Sequence, residues 1–384
     1  AERAEPEMKD RKCGTRTDIM KIDRIDTACY RFPPHRRIVD AIQEVECLEV
    51  IAATVHTDTG DEGFGFTYTI GRGGRATKVM LDTEVVPLML GEDPRDTQRL
   101  WEKMWWGLHW VGRHGVTLLA SSAIDIALWD LKARQAGQPL FRFLGAARDR
   151  TPVYNTDCGW LNHGVEEMVR EASGCVERGI PGVKIKVGKE SRLEDVARVR
   201  AVRKAVGDDV KLMVDANLRW NAAEAMARCR LLEDLDLFWM EEPLGADDVL
   251  GHEQLSRRTS IPIALGENLF NRHVFREYLA RGAAGILQPD VGRVGITEWL
   301  RIAALAHSFN ASVSPHLMME VHVHLVCATP NALFVEQVPM LERFLQHPLE
   351  IEGGYAFPPE RPGHGVAFDE DKVSGYCLEK SSWP

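Results

Sequence analysis

The pattern of hydrophobic and polar positions in this 384-residue chain changes near Thr151. From Met20 to about Gly91, apolar residues alternate with polar ones, and TVHTDTGDEGFG places turn-forming residues between two such stretches. Alternation with a period of two predicts strands, and the turn residues between them predict a hairpin. The later segment SSAIDIALWDLKARQAG has helical spacing. The first part of the chain is therefore predicted to be an antiparallel sheet followed by helices.

After Thr151, short apolar runs that end in a polar residue alternate with amphipathic segments such as LEDVARVRAVRKAV. Eight such runs follow one another, with ends at Asp157, Lys186, Asp215, Glu241, Glu267, Asp290, His316 and Glu336. Repeated strand and helix units of this kind are typical of a TIM-type barrel, here with room for one irregular unit. A doubly wound sheet would carry a glycine-rich loop after its first strand, and this chain has none there.

The same patterns divide the chain into four segments. Residues 1–19 are highly charged, lack the apolar centre of a signal peptide, and are predicted to be a flexible leader. Residues 20–148 form the predicted α+β region and residues 149–345 the predicted barrel. Residues 346–384 begin with a stretch rich in glycine and proline, which predicts loops and short strands that return to the barrel mouth or to the first region.

The composition narrows the class of function. Hydrophobic residues make up 45% of the chain and charged residues 27%, as expected for a large packed core. The net charge of -10 and the lack of a basic stripe argue against a nucleic-acid partner, and no apolar run reaches membrane-spanning length. The eight cysteines are scattered without a CxxC pair, as in reduced thiols of a cytosolic protein. We therefore expect a cytoplasmic protein with neither nucleic-acid nor membrane partners.

Three carboxylates end consecutive predicted strands: Asp215, Glu241 and Glu267. The carboxyl ends of barrel strands meet at one mouth, where three carboxylates would repel each other unless a cation held them together. An all-oxygen set suits Mg²⁺ better than zinc, which prefers His and Cys. Each carboxylate alone could equally cap the helix that follows it, but three in succession predict a Mg²⁺ site.

Two candidate bases end other strands. Lys184 and Lys186 are two residues apart, so their side chains should emerge on the same face of a strand. Two neighbouring ammonium groups disfavour double protonation, which should lower the pKa of one lysine and make it a usable base. Asp290 bound to one ring nitrogen of His316 would fix the tautomer of that ring and support its protonated form. Lys186 and His316 are therefore candidate bases on two sides of a substrate carbon.

These motifs resemble those of the mandelate racemase-like branch of the enolase superfamily. They are KIKVG at 184–188, VDAN at 214–217, MEEP at 240–243, GEN at 266–268, QPD at 288–290 and SPH at 314–316. The resemblance implies an α/β fold, a modified TIM barrel of the (β/α)7β type. It also implies an N-terminal α+β capping domain that the C-terminal segment completes.

The resemblance further implies the roles of the site residues. Mg²⁺ would be the cofactor, bound by Asp215, Glu241 and Glu267. Lys186 would be one acid/base with Lys184 as its electrostatic partner, and the His316–Asp290 dyad would be the other. Glu336 would be a hydrogen-bond partner of the bound carboxylate. Three further residues are candidates for substrate contacts: Asn217, Arg113 and Tyr68.

Within that branch the chain is most similar to the talarate/galactarate dehydratases. The supporting stretches are DEGFGFTYTIGRGGR at 61–75, VGRHG at 111–115, SSAIDIALWDLKA at 121–133 and PHLMMEVHVHL at 315–325. One departure is GEN at 266–268, where GEM would be expected. The similarity implies Mg²⁺-dependent loss of the α-proton and the 3-hydroxyl of an aldarate or aldonate, which gives a 2-keto-3-deoxy acid sugar. L-talarate and galactarate are the first substrates to expect, and we also expect a homo-oligomer.

Other functions stay open on the sequence alone. One is a dehydratase for another acid sugar, of the L-lyxonate, L-rhamnonate or L-fuconate type. Opposed bases would also suit a racemase or epimerase of a 2-hydroxy acid, and Lys186 could be the nucleophile of a Schiff-base aldolase. The non-enzymatic alternative is a barrel that has lost its chemistry. His322 and His324 form an HxH pattern without an accompanying zinc ligand, and we expect them to pack beneath the barrel mouth.

Overall fold

The computed structural model describes residues 20–384. The leader predicted at residues 1–19 lies outside the described residues. The first region contains three strands and five helices: β1 (Ile22–Phe32), β2 (Leu48–Thr57), β3 (Glu62–Ile70), α1 (Gly74–Met80), α2 (Val86–Met89), α3 (Thr97–Gly107), α4 (Val116–Gln135) and α5 (Leu140–Phe143). A π-helical turn, Leu81–Val85, joins α1 to α2.

The strands β1, β2 and β3 form an antiparallel sheet, and α4 packs on β3. This packing is close because β3 presents two glycines to the helix. A Cβ atom on Gly65 would lie 2.1 Å from the Ala123 carbonyl oxygen, and one on Gly63 would lie 2.2 Å from that of Ala127. Nearly all of α4 is buried, because the helix packs against the barrel helix α11 (Val291–Ser308) as well. The α+β prediction agrees with this arrangement.

The second region is a barrel of eight strands. The strands are β4 (Thr151–Asn155), β5 (Gly182–Lys186), β6 (Lys211–Asp215), β7 (Leu237–Glu241), β8 (Ile263–Leu265), β9 (Ile286–Leu287), β10 (Ser312–Val313) and β11 (Val335–Gln337). The other helices between them are α6 (Val165–Glu177), α7 (Arg192–Val206), α8 (Ala222–Leu232), α9 (Val249–Ser256), α10 (Arg272–Arg281) and α12 (Met319–Ala328). Neighbouring strands from β4 to β10 are parallel, and β11 returns to pair with β4.

A bridge between Val313 and Ala332 joins β10 to the segment that enters β11, which closes the barrel. Seven strand–helix units followed by a single strand are the (β/α)7β order, so the predicted fold class is confirmed. Four predicted strand ends were too late: the strands stop at Asn155, Leu265, Leu287 and Val313, and Asp157, Glu267, Asp290 and His316 follow them. Asp157 lies in the 3₁₀ turn Asp157–Gly159.

The remaining elements are β12 (Glu350–Glu352), β13 (Tyr355–Phe357), α13 (Glu370–Val373) and β14 (Cys377–Trp383). Strand β14 pairs antiparallel with β1 at the edge of the first sheet, with Ile25 opposite Trp383. The aromatic ring of Phe32 on β1 stacks on Phe344, with ring centroids 4.1 Å apart. Strands that precede the barrel in the sequence and a strand that follows it therefore form the capping sheet together.

No helix within residues 20–384 is both long enough and apolar enough to cross a membrane.

Candidate active site

A cavity of about 330 Å³ opens at the carboxyl ends of the barrel strands. The barrel contributes Lys186, Glu267 and His316 to its lining, and Tyr68 reaches it from the capping sheet. A volume of this size is typical of sites for small molecules. Six apolar side chains form a separate cluster among the barrel strands: Tyr154, Met213, Trp239, Ala264, Ile286 and Phe334.

The three predicted metal ligands converge. Asp215 and Glu241 are the last residues of β6 and β7 and lie opposite each other in the ladder. Glu267 follows β8 directly after Gly266, whose φ of 146° no L side chain readily adopts. One carboxylate oxygen from each of the three residues lies within 4.8 Å of the other two. Asp215 and Glu241 are buried and Glu267 is partly exposed, and this all-oxygen set fits Mg²⁺.

Neighbouring donors hold the ligands in place. Glu241 Oε2 accepts hydrogen bonds from Trp239 Nε1 at 2.9 Å and from Gln288 Nε2 at 2.7 Å. Asp215 Oδ1 accepts a bond from the Asn217 backbone N–H at 2.8 Å. Such donors orient the oxygens that remain for a cation. Our sequence reasoning missed Trp239 and Gln288, although Gln288 opens the QPD motif that contains Asp290.

The two lysines contact the same carboxylates. Lys186 Nζ donates to Asp215 Oδ2, and Lys184 Nζ donates to Glu241 Oε1. Lys184 Nζ also lies 2.9 Å from Glu336 Oε1 and 3.8 Å from Asp215 Oδ2. Both side chains point to the same face of β5, as the spacing predicted.

The expected depression of a lysine pKa was wrong for these contacts. Burial and the Lys184 ammonium both lower the pKa of Lys186, but Asp215, Glu267 and Glu241 together raise it above its ordinary value. Burial also lowers the pKa of Lys184, and the surrounding carboxylates again outweigh it. The three carboxylates beside the lysines therefore outweigh the repulsion between the two ammonium groups.

His316 and Asp290 form the predicted pair. His316 Nδ1 lies 2.9 Å from Asp290 Oδ2, and His316 Nε2 lies 3.4 Å from Glu267 Oε2. Tyr68 Oη donates to Asp290 Oδ2 and lies 3.2 Å from His316 Nδ1. Burial lowers the pKa of His316, but Glu267, Asp290 and Glu336 raise it to about 9. Tyr68 therefore contacts the dyad as well as lining the cavity.

Protein donors already engage both oxygens of Glu336. Oε1 accepts a bond from Thr156 Oγ1 at 2.6 Å and pairs with Lys184, and Oε2 accepts the Leu317 backbone N–H at 2.9 Å. Burial opposes ionisation, but Lys184 and His316 hold the pKa of Glu336 well below its ordinary range. Glu336 thus lies between the lysine side and the histidine side of the cavity.

Two asparagines line the cavity beside the metal ligands. Asn217 has a left-handed backbone (φ 41°), and its side-chain oxygen is buried without a hydrogen-bond partner among residues 20–384. Asn268, which departs from the expected GEM, donates from Nδ2 to Glu242 Oε2 at 2.8 Å. An unpartnered amide oxygen in a cavity is a candidate acceptor for a substrate hydroxyl.

Arg113 is not among the residues that line the cavity, which corrects its assignment as a substrate contact. Its guanidinium lies 4.4 Å from the ring centres of both Trp105 and Trp106, and its Nε donates to the Trp105 carbonyl. Two other arginines, Arg72 and Arg293, line the cavity and were missed. Arg72 lies in the GRGGR loop, whose glycines and charges were the available signal.

A second group of possible metal ligands lies outside the cavity: His163, Glu167 and Glu171. The Arg36 guanidinium binds the Glu171 carboxylate with two hydrogen bonds of 2.9 Å and reaches Glu167 at 3.4 Å. A bidentate arginine pair already satisfies these carboxylates, so we assign the group as an ion-pair network.

The fold and the site define a member of the enolase superfamily. Residues 25–145 match the family of mandelate racemase / muconate lactonizing enzyme N-terminal domains, and residues 167–372 match the enolase C-terminal domain-like family. The chain belongs to the mandelate racemase / muconate lactonizing enzyme family of that superfamily, as predicted.

Named relatives narrow the comparison. The chain is 38% identical to L-talarate/galactarate dehydratase of Salmonella typhimurium over 84% of this chain and 81% of the relative. It is 34% identical to 3,6-anhydro-alpha-L-galactonate cycloisomerase of Streptomyces coelicolor over 92% of this chain and 98% of the relative. The crystal structure of L-talarate dehydratase from Polaromonas sp. JS666, complexed with Mg and L-glucarate, is 37% identical. It superposes with a TM-score of 0.90 over 95% of this chain and 99% of that one. The predicted similarity to acid sugar dehydratases is confirmed.

Proposed function

We propose that this protein is a Mg²⁺-dependent acid sugar dehydratase, with L-talarate and galactarate as the first candidate substrates. One observation carries the proposal: three carboxylates converge beside a small cavity that Glu267, Lys186 and His316 line, and Asp290 contacts His316. The similarity to L-talarate/galactarate dehydratase supports the substrate class.

The residues of the chain divide the chemistry between two sides of the cavity. Mg²⁺ held by Asp215, Glu241 and Glu267 would offset the carboxylate charge beside the lysines and stabilise negative charge that develops on the substrate carboxylate. The base that faces the α-hydrogen, Lys186 Nζ or His316 Nε2, takes that proton.

The electrons of the broken C–H bond then form the C2–C3 double bond as the C3–O bond breaks. A conjugate acid in the cavity protonates the departing hydroxyl, which leaves as water. The enol product tautomerises to the 2-keto-3-deoxy acid. Asp290 binds His316 at Nδ1, so the Nε2 atom of His316 is the one available for this proton transfer. Tyr68 donates a hydrogen bond to Asp290.

The polar lining of the cavity favours a second carboxylate on the substrate. Asp40 accepts hydrogen bonds from the backbone N–H groups of Ile42 and Gln43. Glu242 accepts one from the Asn268 side chain, so protein donors already bind both of these acids. Arg72 and Arg293 are the guanidinium groups in the lining. Arginine binds carboxylates with short, charge-assisted hydrogen bonds, and we propose that one or both receive the far end of a diacid.

A screen of mono- and diacid sugars with Mg²⁺, read by formation of 2-keto acid, tests the function. We expect diacids to be turned over, and Arg72→Gln or Arg293→Gln should raise the KM for diacids about 10-fold to 100-fold, because each lost charged bond contributes ~1.5–3 kcal/mol. Arg75→Gln, on the first turn of α1 and outside the cavity lining, is the matched control. Failure of every acid sugar to react would defeat the proposal.

An epimerase is the second candidate, because Lys186 and His316 line one cavity and can exchange protons with one carbon. Proton NMR in heavy water separates the two reactions. Deuterium incorporation at the α-carbon without formation of a keto acid would identify epimerisation, and keto-acid formation would identify dehydration.

We also propose a cytoplasmic location, because the described cysteines are all free thiols, as expected in a reducing compartment. Assembly into a homo-oligomer stays a prediction, which light scattering of the purified protein would test.

A further inference from the structure

His322 lies on the first turns of α12, behind the cavity, and its side chain has no solvent exposure. Its ring makes two hydrogen bonds to backbone groups. His322 Nδ1 lies 2.6 Å from the Leu317 carbonyl oxygen, and His322 Nε2 lies 3.0 Å from the Val291 backbone nitrogen. Leu317 directly follows His316, and Val291 directly follows Asp290. The ring therefore connects the two loops that carry the dyad.

The two partners determine the protonation of this ring. A carbonyl oxygen can only accept, so Nδ1 must carry a proton, and a backbone N–H can only donate, so Nε2 must be free. Only the neutral ring protonated at Nδ1 satisfies both. Burial lowers the pKa of His322 to about 4, so the ring stays neutral near pH 7.

The backbone that His322 supports is strained. Leu317 has a φ of 46° and Met318 a φ of 39°, so two consecutive residues that are not glycine adopt the left-handed conformation directly after His316. L side chains rarely adopt this conformation, and it persists only where surrounding contacts enforce it. Glu336 accepts the Leu317 N–H at 2.9 Å, and His322 binds the Leu317 carbonyl. Both polar groups of Leu317 are thus bonded to buried side chains.

We propose that His322 is a positioning residue for the Asp290–His316 dyad. Its ring holds the start of α11, after Asp290, and the loop after His316 at a set separation, which keeps His316 Nδ1 on Asp290 and His316 Nε2 in the cavity. This inference rests on the proposed function, in which the dyad forms one side of the reaction site. In the described part of the chain the His322 ring bonds to Leu317 and Val291 and to neither lysine, so proton transfer by Lys186 should not depend on that ring.

His324 provides a matched control on the same helix. It is also fully buried, and both of its ring nitrogens also have partners. Its Nδ1 accepts the Phe141 backbone N–H at 3.3 Å, and its Nε2 lies 3.0 Å from the His364 carbonyl oxygen. These partners belong to α5 and to the C-terminal segment. Loss of the His324 ring should therefore perturb packing without moving the dyad.

The test compares α-hydrogen exchange from two acid sugars that differ only in configuration at the α-carbon. The sugar whose exchange is lost in His316→Asn is assigned to the histidine side. The sugar whose exchange is lost in Lys186→Ala is assigned to the lysine side. Exchange is then followed by proton NMR in heavy water, with Mg²⁺, in His322→Phe, His322→Asn and His324→Phe. Thermal unfolding of each variant measures the loss of stability.

We expect His322→Phe to slow exchange on the histidine side about 100-fold, because displacing a catalytic group by about 1 Å has that effect. Exchange on the lysine side and KM should change less than threefold. His322→Asn, whose amide can still donate to the Leu317 carbonyl, should slow the histidine side about tenfold. His324→Phe should lose similar thermal stability and leave both exchanges within threefold of the parent.

Equal slowing on both sides in the His322 variants, or no slowing on either, would overturn the proposal. If His322→Phe does not fold, His322→Asn carries the same comparison. A parent protein that exchanges neither sugar and forms no 2-keto acid from either would refute the proposed function instead, so the two failures are distinguishable.

Discussion

The two sides of the cavity hold their bases by different means. On the lysine side, Lys186 and Lys184 lie among Asp215, Glu241 and Glu336, and the contacts are between opposite charges on different barrel strands. On the histidine side, directional hydrogen bonds from separate parts of the fold place the ring. Asp290 follows β9, Tyr68 comes from the capping sheet, and His322 comes from α12.

This difference separates two demands on a base. A lysine amine on a flexible stem can follow its partners, so the local charge controls its protonation more than its exact position. An imidazole must present one particular nitrogen, so its orientation and tautomer have to be fixed. We therefore expect changes in charge to act mainly on the lysine side and small displacements to act mainly on the histidine side.

The largest effect should come from removing either base. Lys186→Ala and His316→Asn should each lower kcat for the acid sugar by ~10³-fold or more, near the upper range for a lost general acid or base. Lys186→Arg sharpens the comparison, because it keeps a cation beside Asp215 but cannot lose its proton. It should be as inactive as Lys186→Ala while retaining more of the thermal stability.

Initial rates of 2-keto acid formation and thermal unfolding curves measure both quantities. Lys189→Ala is the control, since Lys189 is partly exposed and, within residues 20–384, forms an ion pair only with Glu194, at 3.4 Å. A Lys186→Arg enzyme with more than a tenth of the parental kcat would contradict the role of Lys186 as a base.

The next largest effect concerns the charge on the lysine side. Lys184→Met leaves buried carboxylates without their cation and should lower the free energy of unfolding by ~3–5 kcal/mol in metal-free protein. Added Mg²⁺ should recover part of that loss, because it supplies positive charge to Asp215 and Glu241. Urea denaturation with Mg²⁺ and with a chelator measures the difference.

Lys78→Met is the matched control for Lys184→Met. Lys78 is fully buried on α1 and pairs with Asp82 at 2.5 Å, in the capping region away from the cavity. Its loss should cost the same free energy of unfolding with or without Mg²⁺. A Lys184→Met variant that is equally insensitive to Mg²⁺ would break the link between that lysine and the metal site.

The smallest effect on turnover should come from replacing Glu320, which lies behind the histidine side. Burial raises the pKa of this carboxyl from 4.5 to about 7. Since the folded-state pKa lies above the unfolded value, its ionisation costs nothing below about pH 4.5 and progressively lowers stability as the pH rises through 7. Glu320→Gln should therefore stabilise the protein by up to ~3 kcal/mol at pH 8.5 and by much less at pH 5.

Denaturation curves at the two pH values test this prediction, with the exposed Glu352→Gln as the control. Turnover should stay within twofold of the parent, because Glu320 is not part of the cavity lining. Equal stabilisation at both pH values would show that the titration of Glu320 is not the cause.

The barrel and the convergence of its strand ends were predictable from the sequence for a physical reason. Lys186, Asp215 and Glu241 end strands whose apolar runs are long enough to give a clear pattern. Glu267 and His316 follow strands of three and two residues, and motif resemblance placed them more firmly than periodicity did. Arg113 was misplaced because an arginine near a loop gives no sign that two tryptophan rings will hold it.

The contacts that shape the histidine side had no local signal. The bond from Tyr68 to Asp290 joins a capping strand to a barrel loop, and only the packed tertiary structure brings them together. The left-handed backbone at Leu317 and Met318 was equally hidden, because such conformations usually indicate glycine. His322 was correctly expected to be buried, but its partners follow from that unusual backbone.

The pairing of β1 with β14 has a consequence for the order of events during synthesis. Strand β1 leaves the ribosome before the barrel strands and has its edge partner near residue 380, so the capping sheet stays incomplete until every barrel strand has been translated. Contacts between such distant segments form slowly. Tyr68 belongs to that sheet. In the newly synthesised chain we therefore expect the hydrogen bond between Asp290 and His316 to reach its final geometry only after the barrel itself has folded.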